Sequence, residues 1–140
     1  MMGMIELAER KARARALGLY AFAGLTVVLL GLTFATSRGS FFQGMWFGFT
    51  LVSVLYLSPL VTRLKNGPLA QLLEDEVTRE HRRASSAIGF WAGLLAAAAM
   101  LAIGDVPGLL SASDSARIIF TTAIVAAQVR LATLELQAAR

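Results

Sequence analysis

The chain contains no cysteine, a single histidine and three prolines, and only 16% of its 140 residues are charged. Without cysteine there is no disulfide framework, no thiol redox centre and no Cys-ligated zinc or iron–sulfur site. With His81 as the sole imidazole, haem held by two histidines of one chain is excluded as well. No Ser-His-Asp arrangement, phosphate-cradling glycine loop or nucleophile elbow occurs. Soluble domains carry about 25% charged and about 45–50% apolar residues. Here the apolar share is 56%, so the chain departs from solubility on both measures.

What is there instead is four long apolar stretches, about 17–35, 41–61, 87–104 and 116–134, the first three free of any ionisable side chain. A helix needs about 20 apolar residues, with about 17 as a lower limit, to cross the hydrocarbon core. A soluble helix would show a polar face every 3.6 residues, and barrel strands would alternate. These stretches do neither. In lipid the backbone must satisfy itself, which leaves helices. The pattern predicts an all-α, polytopic transmembrane four-helix bundle, a single membrane domain over residues 1–140 with a cytoplasmic loop at 62–86. The first stretch has a basic lead-in, but its apolar run exceeds the ~7–15 residues of a signal-peptide core, so it reads as a span.

Net charge is +4. The basic residues cluster beside apolar segments rather than in a groove-reading motif, so the positive-inside rule explains them and no direct nucleic-acid contact is expected. Arg10, Lys11, Arg13 and Arg15 precede the first span; Arg63, Lys65, Arg79, Arg82 and Arg83 lie between the second and third; Arg140 follows the fourth. The two opposite loops hold only Arg38 and Arg117. That asymmetry places both termini in the cytoplasm. Tyr20, Tyr56, Phe90 and Trp91 then fall near the inner boundary, and Phe41, Phe42 and Trp46 near the outer one.

Ionisable groups within spans are functional candidates by default. With Arg117 counted to the loop at the edge of the fourth span, Arg130, close to Gln128, is the one that qualifies; its stem can snorkel to the headgroups, or, if buried, meet Gln43, Thr121, Thr122 or Gln128. No carboxylate lies in any span. Small four-span multidrug transporters, which the chain resembles in size and span count, carry an acidic residue in their first span, and this chain has none there. His81 with Glu76 and Glu80 makes a weak metal-ligand set on a solvated helix, and no metal or cofactor site is assigned.

Packing signals are stronger. Gly44 and Gly48 form GxxxG in the second span; Gly89, Gly93 and Ala97 form a small-residue ridge in the third; Thr122 and Ala126, with Ala123 and Ala127, form one in the fourth. Such residues share a helix face and permit close backbone approach, within the bundle or against a second copy or other membrane subunit. At an offset of 71 residues, Lys11 aligns with Arg82, Gly18 with Gly89 and Tyr20 with Trp91, a pattern expected of two parallel helical-hairpin repeats.

In the central loop, Asn66-Gly67-Pro68 is turn chemistry, after which Leu69, Leu72, Leu73 and Val77 recur at helical spacing. Asp75 and Glu76 precede Arg79 by four and three residues, the favoured acid-first order, and Glu6–Arg10 and Glu9–Arg13 repeat it before the first span. Two charged helical extensions therefore project from spans one and three. The run LLEDEVTREHRRASSAIGFWAGL, Leu72 to Leu94, resembles the segment before the third span in small bacterial four-span membrane proteins of uncharacterised function. The resemblance implies a bacterial inner membrane and a role beside a cytoplasmic regulatory protein, with Asp75, Glu76, Arg79 and Glu80 carrying the shared feature. The expected function is a non-catalytic membrane adaptor, regulator or complex subunit that docks a partner through Asp75, Glu76, Arg79, Glu80, Arg82 and Arg83. Two alternatives stand beside it: a small dimeric channel or transporter lined by Arg130, Gln43 and Gln128, and an accessory subunit of a respiratory or photosynthetic complex.

Overall fold

A computed structural model describes residues 2–35, 39–58, 76–104 and 110–138. All four described elements are α-helices: α1, Met2–Ala35; α2, Gly39–Leu57; α3, Glu76–Gly104; and α4, Ala112–Ala138. Within them, Arg13–Ala35, Thr78–Ile103 and Ala112–Ala138 are long and apolar enough to cross a membrane, whereas the apolar part of α2, Phe41–Leu57, is shorter. At 1.5 Å per residue, the 19 residues of α2 still span about 28 Å, close to the thickness of a hydrocarbon core of about 30 Å. The second span was expected to reach residue 61; its helix closes at Leu57, and 59–61 lie outside the described residues.

The helices run alternately up and down. Tyr20 meets Thr133 and Arg15 meets Glu135, so α1 and α4 are antiparallel. Trp46 meets Thr121 and Ser53 meets Gln128, so α2 and α4 are parallel. A methyl built on Gly89 would touch Ala123 and Ala127, and one on Gly93 would touch Ala123, so α3 and α4 are antiparallel. The start of α1, the end of α2, the start of α3 and the end of α4 therefore share one end of the bundle. α4 is the hub: it packs against all three other helices, while α3 packs chiefly on α4.

The buried face of α1 is Ala16, Leu19, Ala23, Thr26, Leu29 and Thr33, a spacing of three and four residues. Leu17, Leu25, Val27, Val28 and Phe34 point outward. Four of these six inward residues are small or hydroxyl-bearing, with Leu19 and Leu29 the exceptions, and most large apolar residues turn outward, as expected where the outer solvent is lipid and helices associate by close approach rather than by hiding oily surface. The inward hydroxyls are satisfied within their own helices: Thr26 donates to the Phe22 carbonyl at 2.8 Å, Thr33 to Leu30 at 2.7 Å and Ser85 to His81 at 2.7 Å. At the end shared by the starts of α1 and α3, Ala16, Leu19, Leu131 and Ala132 form a buried cluster flanked by Tyr20, Leu57 and Leu136.

α4 starts at Ala112, four residues before the span expected from residue 116. The reason is a capping box at Ser111-x-x-Asp114. The Asp114 N–H donates to the Ser111 Oγ at 3.2 Å, and the Ser111 hydroxyl and N–H both donate to Asp114 Oδ2, at 2.6 and 3.4 Å. Arg117 anchors the other carboxylate oxygen at 3.1 Å.

Candidate functional site

Three features of this fold bear on function: a polar seam along α4, two small-residue faces, and the charged start of α3.

The seam joins α4 to α1 and α2. The Trp46 indole Nε1–H donates to the Thr121 hydroxyl at 2.9 Å. Seven residues further along both helices, Gln128 Nε2 donates to Ser53 Oγ at 2.9 Å, and Ser53 in turn donates to the Phe49 carbonyl at 2.8 Å. Seven residues is two helical turns, so on parallel helices both pairs lie on one stripe. Beyond them the Tyr20 hydroxyl meets Thr133 Oγ1 at 2.9 Å; Thr133 already donates to the Val129 carbonyl, which leaves Tyr20 as the donor. Arg15 pairs with Glu135 at 3.6 Å, with Arg15 largely exposed and Glu135 largely covered. Gln128 is 2% exposed, and its Oε1 has no hydrogen-bond partner. A buried acceptor in that state costs about 1–3 kcal/mol.

The small-residue faces divide sharply. Gly89 and Gly93 are buried against α4, and Ala97 is half-buried on the same helix. A Cβ on Gly89 would stand 2.7 Å from the Ala123 carbonyl oxygen and 2.8 Å from the Ala127 Cβ. This ridge is therefore used inside the chain. Gly44 and Gly48 are exposed, and a Cβ at either would meet nothing within 4 Å. The α2 GxxxG thus faces away from the bundle.

Of the docking residues expected from sequence, Arg79, Glu80 and Arg83 are exposed on the first turns of α3, and Arg82 is half-buried there. Asp75 lies outside the described residues, as do the Asn66-Gly67-Pro68 turn and Leu69, Leu72 and Leu73; the side chains of Glu76, Val77, Glu6 and Glu9 are likewise not described. Gln128 is buried while Arg130 is exposed, and two residues on a helix lie about 200° apart, so these two polar groups do not converge. Gln43 is half-buried on α2.

Sequence reasoning missed the interhelical roles of Trp46 and Tyr20. Both were expected as interfacial anchors, but Trp46 is buried and Tyr20 half-buried, each held by a hydroxyl of α4. Of the other aromatics placed at a boundary, Phe41, Tyr56, Phe90 and Trp91 are exposed and Phe42 is half-buried, and Phe90 and Trp91 stack edge to face at 5.7 Å.

Comparison with protein-family models, with curated proteins and with solved structures finds no match.

Proposed function

We propose that this chain is a non-catalytic membrane adaptor or complex subunit whose third helix is its partner-binding element. One observation carries the reading: α3 is continuous from a charged start to an apolar end, and it rests on α4 along one face, where Ser85, Gly89 and Gly93 are buried, while its opposite face is exposed. Most of its remaining surface is uncovered. Arg79, Glu80 and Arg83 are exposed at its start, and Phe90, Trp91, Leu94, Leu95 and Leu101 are exposed beyond them. A helix anchored by one edge presents a charged surface outside the bilayer and an apolar face within it, and a partner can use both. Lys/Arg asymmetry supports a cytoplasmic position for the charged end and both termini, and the resemblance of the Leu72–Leu94 run supports a bacterial inner membrane.

In this reading the chain's own assembly face is the outward Gly44–Gly48 pair, because the α3 ridge is already occupied by α4. The test is co-purification from native membranes. Reversing charge at Arg79, Glu80 and Arg83 together should reduce recovery of the associated protein by at least tenfold while leaving the chain's own yield unchanged. Equal recovery from wild type and variant removes the docking role. Substituting Gly44 and Gly48 with leucine should shift the oligomer distribution in nanodiscs, and an unmoved distribution removes self-assembly.

A further inference from the structure

We propose that the cleft between α1, α2 and α4 binds a small, neutral, largely apolar molecule that carries one hydroxyl or N–H donor. The cleft has a volume of about 220 Å³. Leu19, Phe22 and Val52 supply apolar wall, Gly18 leaves it open on the α1 side, and buried Ser53 and Gln128 close its inner side. Arg15 lines it too, but its guanidinium already faces Glu135 at 3.6 Å, so nothing there calls for an anionic ligand.

The choice of ligand rests on Gln128. Its Nε2 is committed to Ser53, whose hydroxyl is used in both directions, accepting from Gln128 and donating to Phe49. The Gln128 Oε1 is a buried acceptor with no donor. Gln128 lines the cleft, and a small rocking of its soft terminal torsion, within the tolerance of the Nε2–Ser53 bond, presents that oxygen to an incoming donor. Water is a poor occupant. A buried water needs about 2–4 polar partners; here the Gln128 oxygen is the one buried atom left unpartnered among the described residues, and apart from the committed Ser53 the other polar lining, Arg15 and Tyr56, is on exposed residues. A molecule with an apolar body and a single donor satisfies both the wall and the oxygen. The volume, about seven times the ~30 Å³ share of a liquid water, suits a body of one or two fused rings. Two other clefts, of about 350 and 290 Å³ on the flanks of α2 and α4, have no unpartnered buried polar atom among the described residues, which singles out this one.

Two bicyclic probes of matched shape test the proposal: indole, which has an N–H donor, and benzothiophene, which has none. Binding is read by ligand-detected NMR on the full chain in lipid nanodiscs, with empty nanodiscs subtracted to remove partitioning into lipid. Indole should bind roughly tenfold more tightly than benzothiophene, the difference expected when a buried acceptor is satisfied rather than left alone. Gln128→Leu should abolish that preference. Gly18→Leu should abolish binding of both probes; Gly18 is exposed and an added Cβ there meets nothing within 4 Å, and an unchanged thermal midpoint verifies that the fold is intact. Equal affinity for the two probes in wild type, a preference that survives Gln128→Leu, or binding that survives Gly18→Leu would each overturn the assignment. So would the absence of protein-dependent signal from either probe.

Discussion

Replacing Gly89 with alanine adds one methyl group where α3 and α4 lie backbone to backbone. That methyl would sit 2.7 Å from the Ala123 carbonyl oxygen, and moving it out to ordinary contact at 3.4 Å opens the seam by about 0.7 Å. Neither obstacle can turn aside, since one is backbone and the other, the Ala127 Cβ at 2.8 Å, is a rotamerless methyl. A gap of 0.5–1 Å forfeits about a quarter to a half of the dispersion well at each contact along the seam. Overpacking of this kind costs about 1–3 kcal/mol. Gly93→Ala is milder: its methyl would lie 3.1 Å from the Ala123 Cβ, a relief of about 0.3 Å, and the expected cost is below about 1 kcal/mol. Gly44→Ala meets nothing, so the better helix propensity of alanine leaves it neutral or more stable by up to about 0.5–1 kcal/mol. Reversible unfolding in mixed micelles titrated with SDS, followed by far-ultraviolet circular dichroism and tryptophan fluorescence, ranks the three. Gly89→Ala should be the least stable and Gly44→Ala the most. A Gly89→Ala protein as stable as wild type, or a Gly44→Ala protein less stable than Gly89→Ala, would refute the close-approach argument.

A double-mutant cycle on Ser53→Ala and Gln128→Leu should return a favourable coupling of about 0.6–1.7 kcal/mol, the range for interhelical hydrogen bonds within membranes; a coupling of zero contradicts the bond. Ser111→Ala removes the hydroxyl that caps α4 and should cost about 0.5–2 kcal/mol, with faster amide exchange confined to the first turn of that helix, whereas Ser111→Asn should retain most of the protection. Glu135→Gln breaks an ion pair whose arginine is more than half exposed, so less than about 1 kcal/mol is expected in the same unfolding assay; a larger loss would mean that Glu135 does more than face Arg15.

The helices themselves were legible because lipid as solvent demands long uniform apolar runs, and such runs stand out in any sequence. Their number and order follow from the same runs. Which faces meet was not legible, because uniform hydrophobicity erases the contrast that marks a core in water. Ala23 and Thr26 face inward while Val27 and Val28 face outward, the reverse of a soluble pattern. Two similar glycine motifs met different fates, Gly44–Gly48 open and Gly89–Gly93 enclosed, since what decides is the neighbouring helix and not the motif. The proposed half-repeat shows the same limit of pattern: α1 and α3 run the same way, yet Gly18 faces open space where its counterpart Gly89 meets α4. Two signals were readable in principle. Ser111-x-x-Asp114 is a capping box. The hydroxyl and amide content of α4, with Thr121 and Gln128 seven residues apart opposite Trp46 and Ser53 seven apart, marks the helix with most neighbours.

That the helix with most neighbours comes after the other three has a consequence for biogenesis. Until α4 leaves the ribosome, α1 and α2 have one another but α3 has almost nothing to pack on. The 34 residues from the end of α3 to the end of α4 take roughly 2–7 seconds to synthesise at about 5–20 residues per second. For that interval the Gly89–Gly93 edge lies open at the translocon, available to an insertase or to another nascent segment. Truncation before residue 112 would make the transient state permanent, and quality-control proteases would meet an orphaned third helix rather than a smaller version of the finished fold.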